Sequence, residues 1–325
     1  MQYRVILLMF FFHIASLGVS QEIRVHDPVM IREKGVYYLF CTGSGISVFS
    51  SPDMKNWKKE NPVFTAPPTW AVEAIPEFKG HIWAPDISFH NGQYYLYYSV
   101  SAFGKNTSCI GVATNKTLNP VSPDFKWIDH GKVIQSVPGR DHWNAIDPNL
   151  AFDDEQKPWL TFGSFWSGMK LVKLDESLTK IADPQEWYTI SKRARDFKTD
   201  DYKAGEGPVE APFIFKKNGY YYLFVSFDYC CRGVNSNYKV VVGRSKTIQG
   251  PYLDKDSVRM DHGGGSLVIE GNKDWAGVGH NSAYTFDGTD YLIFHAYDAK
   301  DEGKPKLKIS KIEWDNNGWP VCKMP

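Results

Sequence analysis

The chain has no excess charge of either sign. Its 325 residues carry 37 Lys and Arg against 37 Asp and Glu. No basic block or stripe disturbs that balance, so neither nucleic acid nor an anionic membrane is expected as a partner. Cysteine is scarce. The five present, Cys41, Cys109, Cys230, Cys231 and Cys322, show no zinc-site spacing, and an exported protein can pair only some of them. Adjacent Cys230 and Cys231 fit a vicinal disulfide and two half-buried thiols equally well. There is no Gly/Ser linker, no low-complexity tract and no sustained helical period. Beyond the first twenty residues no stretch is apolar enough to cross a membrane.

The only long apolar run opens the chain. Arg4 is a short basic start, Val5 to Ile14 an apolar block, and Ala15 to Ser20 a small-residue stretch. Residues 1–20 read as a secretory signal peptide cleaved near Ser20; the block is too short to span a bilayer. Export to a periplasm or the medium is expected. Residues 21–325 are long for one ordinary domain but suit one ring of repeated units.

What the chain has in quantity is hairpins. Gly207-Pro208-Val209-Glu210-Ala211-Pro212-Phe213-Ile214-Phe215 runs through Lys217-Asn218-Gly219 into Tyr220-Tyr221-Tyr222-Leu223-Phe224, strand formers on either side of a turn. The unit recurs from His26-Asp27-Pro28, from Trp83-Ala84-Pro85-Asp86, from Ile146-Asp147-Pro148 and from Gly279-His280-Asn281. A second piece follows each hairpin: an apolar strand, a turn and a short outer strand ending near an aromatic, as at Trp57, Trp127, Trp187, Tyr252 and Trp319. Five such units in one chain predict an all-β, five-bladed propeller with about four strands per blade. Boundaries are expected near 80, 140, 205 and 275. The Gly- and charge-rich segments 199–207 and 263–279 precede repeat starts and are expected to wall a site. Either Glu22 to Val25 or the segment around Val321 is a candidate to close the ring.

Innermost strands begin at one mouth of a propeller channel. Aligned on their prolines, Asp27 and Asp147 coincide, and His280 aligns with them. Glu210 falls one position earlier, level with His26 and Trp83. Asp86 falls two positions later than Asp27 and is free to face elsewhere. Three carboxylates near one axis are costly without a function. Two carboxyl groups across a gap, one protonated and one ionised, are what glycosidic cleavage requires. Glu210, set among Val209, Ala211, Pro212 and Phe213, suits the acid. Asp27, beside His26, suits the ionised partner, and Asp147 suits a modulator of the acid.

These residues resemble a known family. HDPV, NAIDPNL and GPVEAPFI, with WAPD at Trp83 to Asp86, are similar to glycoside hydrolase family 43. SAFG at Ser101 to Gly104, GSFWSG at Gly163 to Gly168, FDYCCRG at Phe227 to Gly233, VGRS at Val242 to Ser245 and GHNS at Gly279 to Ser282 resemble its endo-α-1,5-L-arabinanases. The resemblance spans nearly all of 21–325, which it makes the catalytic domain. It implies a five-bladed propeller that cuts internal α-1,5 bonds of plant cell-wall arabinan with inversion. Asp27 is then the base that activates water, Glu210 the acid and Asp147 the pKa modulator. It further implies one metal ion, usually calcium, near the channel centre at His280, although calcium prefers oxygen ligands to a single imidazole.

Candidate substrate contacts are His26, Trp83, Phe103, Gly104, Asn144, Ser164, Phe165 and Trp166. The aromatics serve equally as sugar-stacking surfaces and as core; Asn144 and Ser164 serve equally as sugar ligands and as turn or cap groups. A monomer is expected. The alternatives on the same machinery are an exo-arabinanase, an α-L-arabinofuranosidase or a β-xylosidase. A non-catalytic glycan-binding propeller is a different class, and retention of all three carboxylates speaks against it.

Overall fold

Turn chemistry and strand formers coincide along the chain, so hairpins set the architecture. Val29–Glu33 pairs antiparallel with Val36–Cys41 across Lys34-Gly35. Both turn residues take positive φ, 47° and 87°, the twist that two-residue hairpins prefer. Asn91-Gly92, Asn218-Gly219 and Asp287-Gly288 do the same. The fifth hairpin, Asn149–Phe152 with Pro158–Phe162, has no such pair and turns through a longer loop.

The computed structural model describes residues 21–325; the signal-peptide expectation for 1–20 lies outside the described residues. Each hairpin grows outward into an antiparallel sheet. Blade one adds Ser47–Ser51 and Lys58–Lys59. Blade two comprises His81–His90, Gln93–Ser101, Ser108–Asn115 and Ile128–Ser136. Blade three adds Met169–Lys173 and Trp187–Ser191. Blade four comprises Val209–Lys217, Tyr220–Phe227, Lys239–Ser245 and Ser266–Glu270. Blade five comprises Trp275–Phe286, Thr289–Asp298 and Lys304–Lys311. The five-bladed propeller expected from the repeats is the fold.

Two outer strands differ from expectation. In blade four the outer strand is Ser266–Glu270, not the stretch at Tyr252, which turns back onto Arg244 through Leu253. Segment 263–279 is therefore mostly blade edge and lead-in rather than a wall of the channel. In blade five the stretch at Trp319 forms a separate two-stranded ribbon, Glu313–Trp314 with Pro320–Val321. The fourth place is filled from the other terminus: Arg24 bridges Lys306, the Leu307 amide donates to the Ile23 carbonyl (3.0 Å), and the Val25 amide to the Pro305 carbonyl (3.3 Å). The N-terminal segment closes the ring.

The apolar core is divided into five wedges, one between each pair of blades. Tyr38 and Phe40 meet Ile87, Leu96 and Tyr98 between blades one and two. Ile110 and Val112 meet Leu160 and Phe162. Trp159 and Leu171 meet Leu223 and Val225. Phe224 and Val242 meet Leu292 and Phe294. Ile23 and Val25 complete the last wedge with Met30, Leu39 and Ile293. Strands buried on both faces read as continuous apolar runs, which is why Tyr-Tyr-Leu-Phe recurs without alternation.

Asp86 faces away from the channel. Its carboxylate accepts from the Asn149 side chain (3.1 Å) and the Leu150 amide (2.8 Å), stitching blade two to blade three. Burial pushes it up to about 7, against those two donors. The unfolded chain releases this proton near pH 3.9. Between about pH 4 and 7 the folded chain still holds it, so the group's contribution to stability falls as pH rises through that window. Asp86→Ala strands two buried donors and is expected to cost about 1–3 kcal/mol in urea titrations at pH 5, and less at pH 8. An unchanged midpoint at pH 5 would show that this stitch is dispensable.

Candidate active site

One residue at the entrance of every innermost strand sits in the left-handed region: Asp27 (φ 53°), Ala84 (43°), Asp147 (59°), Ala211 (55°) and His280 (49°). None is glycine, so each conformation must be held by its surroundings. The holding contact is the same in kind around the ring. Each residue's N–H donates to a side chain of the preceding blade: Asp27 to His295 Nδ1 (3.2 Å), Ala84 to Thr42 Oγ1 (2.8 Å), Asp147 to Ser99 Oγ (2.9 Å), Ala211 to Asp147 Oδ2 (3.1 Å) and His280 to Ser226 Oγ (2.8 Å). Thr42, Ser99, Ser226 and His295 occupy matching places at the ends of second strands. In blade three that place is Gly163, whose amide meets the Ile146 carbonyl. Glycine offers no side chain, and the Asp147 carboxylate takes over the role. The strand breaks register here, at Trp83/Asp86, Glu210/Phe213 and Gly279/Ser282, as bulges do where a side chain is re-aimed. The alignment drawn from the prolines holds, including Glu210 level with His26 and Trp83.

Of the three carboxyls, Asp27 is held by the most side-chain donors. Oδ1 meets His26 Nδ1 (2.8 Å) and His280 Nδ1 (3.0 Å), and Oδ2 accepts from Thr42 Oγ1 (2.5 Å). Burial pushes the group up, but His26 and His280 more than reverse this and hold it well below the usual carboxylate range. His295 Nδ1 also lies 3.8 Å from Asp27 Oδ1. Since it accepts the Asp27 N–H, this nitrogen carries no proton and the contact is no ion pair. Burial, and then His26, keep His295 well below the usual imidazole range.

Asp147 and Glu210 face the same space. Burial pushes Asp147 well above the usual carboxylate range; the Glu210 and Asp27 carboxylates add to this, while His280 and the Ala211 amide oppose it. Glu210 accepts from Ser164 Oγ (2.8 Å) and the Tyr238 hydroxyl (2.7 Å). For His280, burial lowers the imidazole, yet Asp27, Asp147 and Glu210 together raise it to about 9.

These groups open into one cleft of about 960 Å³. Asp27, Asp147, Glu210 and His280 line it, with His26, Trp83, Phe103, Gly104, Asn144, Ser164, Phe165 and Trp166. All twelve residues singled out from sequence are thus brought together. Their situations differ. Phe103 stands 81% exposed at the rim, whereas Trp166 is 7% exposed and donates its indole N–H to the Tyr202 carbonyl. Asn144 is buried and accepts from Ser108 Oγ (2.6 Å). Segment 199–207 reaches the cleft at Ala204, with Tyr202 against His142. Cys230 and Cys231 are joined as a disulfide on the cleft wall.

Sequence reasoning passed over Thr42, Tyr229, Arg232, Tyr238, His295 and Tyr297. Two of these carried a signal. His295 and Tyr297 share one face of Tyr291-Leu292-Ile293-Phe294-His295-Ala296-Tyr297 by the two-residue strand period, and a histidine in so apolar a run needs a partner.

A carboxylate held ionised, Asp27, and a carboxyl pushed toward its neutral form, Asp147, share one open cleft with Glu210; acid/base cleavage of a glycosidic bond needs such unlike carboxyls, and with the ring they define a glycoside hydrolase of the propeller type. The family model described as Glycosyl hydrolases family 43 matches residues 21–320, and the chain belongs to that family. It is 57% identical over 307 residues to an extracellular exo-α-(1→5)-L-arabinofuranosidase of Cellvibrio japonicus, covering 94% of this chain and 88% of that one. It is 45% identical over 310 residues to an extracellular endo-α-(1→5)-L-arabinanase of Bacillus subtilis, covering 94% and 90%. The solved structure of Cellvibrio cellulosa α-L-arabinanase complexed with arabinohexaose superposes with a TM-score of 0.92 at 56% identity, covering 93% and 96%.

The left-handed entrance makes a local prediction. Ala211→Gly relieves the strain and is expected to leave folding and turnover near wild type. Ala211→Val adds a β-branched residue to a conformation costing roughly 1–2 kcal/mol, and is expected to displace Glu210 and cut turnover sharply. Equal activity of the two variants would remove the conformational requirement.

Proposed function

We propose that the protein hydrolyses α-1,5-linked arabinan with inversion. The observation that carries the reading is the meeting of Asp27, Asp147 and Glu210 in one cleft, with Asp27 held toward its ionised form and Asp147 pushed toward its neutral one. Asp27 stays ionised and, with both oxygens held by donors, is suited to orienting and deprotonating a water rather than to direct attack. Glu210 delivers a proton to the departing oxygen. Asp147, buried beside it, keeps the proton on the pair. The rim aromatics, Phe103 and Trp83 first, offer faces to furanose rings.

Internal cleavage was the expectation from sequence motifs. The higher identity to an exo-named relative supports attack from a chain end as the first reading. Internal cleavage is the second, supported by the endo-named Bacillus relative. The extracellular naming of both relatives supports export, and a monomer acting alone on polysaccharide is the simplest assembly.

A cation at the channel centre is part of the proposal. The carboxyls of Asp27, Asp147 and Glu210 outnumber the His26 and His280 imidazoles on the same cleft, so positive charge is favoured. Among the described residues His280 belongs to no group of three metal-ligating side chains, so the fit is to a hydrated ion with His280 as its protein ligand. Such an ion, calcium in the first instance, would supply fixed positive charge near the carboxyls. Calcium is expected to raise the melting temperature of the wild-type protein and not that of His280→Ala. Equal shifts would remove this site.

Glu210→Gln and Asp27→Asn are each expected to lower release of reducing ends from linear arabinan by about 10³-fold or more, because each removes an acid/base group, while circular dichroism stays unchanged. Normal turnover by either variant would refute its role. Time-resolved products of linear arabinan separate the two modes: one short sugar from the outset means chain-end attack, and a spread of intermediate oligomers means internal cutting.

A further inference from the structure

The Cys230–Cys231 disulfide does not touch the three carboxyls, yet hydrogen bonds connect it to one of them. The Cys231 amide donates to the Tyr297 hydroxyl (2.8 Å), which lies 2.8 Å from His26 Nε2, and His26 Nδ1 lies 2.8 Å from Asp27 Oδ1. Donor and acceptor roles run in one direction. Tyr297 accepts from the amide, and its one proton goes to the nearer acceptor, His26 Nε2 at 2.8 Å rather than Cys231 Sγ at 3.8 Å, an assignment that leaves the His26 proton on Nδ1, pointing at Asp27. The imidazole is stacked on His295 at 4.0 Å between ring centres, so its plane is fixed as well. The weak link is the first one. Cys231 takes φ 65°, a conformation that a cysteine adopts rarely unless constrained. A bond between neighbouring sulfurs closes a small ring around the intervening peptide and supplies that constraint.

We propose that Tyr297 and the Cys230–Cys231 disulfide are positioning residues for Asp27, so that turnover depends on the oxidised state of this pair. The proposal rests on the reading of Asp27 as the base. Reduction by a dithiol breaks the S–S bond; two electrons and two protons pass to the cysteines, and the reductant closes to its own cyclic disulfide. Cys231 then relaxes from the left-handed region and its amide leaves Tyr297. The hydroxyl no longer has a single orientation, and neither does His26. Cys231 is exposed and Cys230 half-buried, and the other cysteines, Cys41, Cys109 and Cys322, are already free thiols, so among the described residues this pair is what a mild reductant acts on. An enzyme that works outside the cell would keep the pair oxidised and would be silenced in a reducing compartment.

The test crosses two perturbations. Turnover on linear arabinan is measured for wild type and Tyr297→Phe, each with and without dithiothreitol, with a thiol count to establish reduction. Displacing a reacting group by about an ångström costs on the order of 10²-fold, and a relay through one intermediate side chain should cost about tenfold or more. The expected result is that reduction lowers wild-type kcat by about tenfold with KM within about twofold, that Tyr297→Phe lowers kcat similarly, and that reduction then adds nothing. If thiols appear and wild-type kcat is unchanged, or if reduction lowers kcat equally in both proteins, the relay does not exist. A purely structural disulfide would lower the melting temperature in both backgrounds and spare kcat below it. Should wild type cleave no furanoside at all, the functional reading fails rather than this one. Imidazole ¹⁵N spectra then decide: His26 protonated on Nδ1 when oxidised and mixed when reduced upholds the relay, and identical spectra overturn it.

Discussion

The structure depends on one backbone contact made five times. A residue in the left-handed region opens each innermost strand, and its amide is held by the blade before it. Asp27, Ala84, Asp147, Ala211 and His280 are these residues. The contact joins neighbouring blades at the axis and turns the chain so that the residue there, or the one preceding it, faces the channel. Where function requires a group, the position carries Asp or His. Where it carries Ala, at Ala84 and Ala211, the residue before it, Trp83 or Glu210, lines the cleft. The strain at each entrance is local, while its compensation comes from the neighbouring blade, so the site is a property of the closed ring.

That dependence explains how charge is sustained near the axis. An unpaired buried carboxylate is costly, and three together more so. Asp27 is offset by two imidazoles and the Thr42 hydroxyl, Glu210 by the Ser164 and Tyr238 hydroxyls, and Asp147 by the Ala211 amide. The donors come from blades one, three, four and five. Unequal support separates the carboxyls: the group with two imidazole donors is held toward its ionised form, and the group with a single amide is pushed toward its neutral form. Acid/base cleavage needs that asymmetry.

Much of this was legible in the sequence. Turn pairs such as Asn218-Gly219, followed by aromatic strands, mark the hairpins because the two-residue turn demands those residues. Repetition of the hairpin marks the ring. Proline alignment placed Glu210 one position from Asp27 and Asp147, and all twelve candidate site residues line one cleft. What was not legible came from contacts without a local pattern. The outer strand at Ser266–Glu270 has a short apolar run, Leu267-Val268-Ile269, but it follows three glycines and is only five residues long, so the more aromatic stretch at Tyr252 drew the assignment. Closure was left between Glu22 to Val25 and the segment around Val321, because the pairing of Ile23–Val25 with Pro305–Leu307 lies in no local window. Thr42 and Ser99 look like ordinary strand residues until the amide they accept is seen. Cys230-Cys231 was ambiguous because pairing of neighbours depends on the backbone at Cys231.

The most direct measurement is a crystal structure of the Glu210→Gln variant with a linear arabino-oligosaccharide bound. It should show one glycosidic oxygen within hydrogen-bonding distance of the residue 210 side chain, and a water held by Asp27 on the opposite face of the same sugar. A sugar chain bound away from the axis, or an Asp27 side chain with no access to the bond that residue 210 meets, would contradict the account.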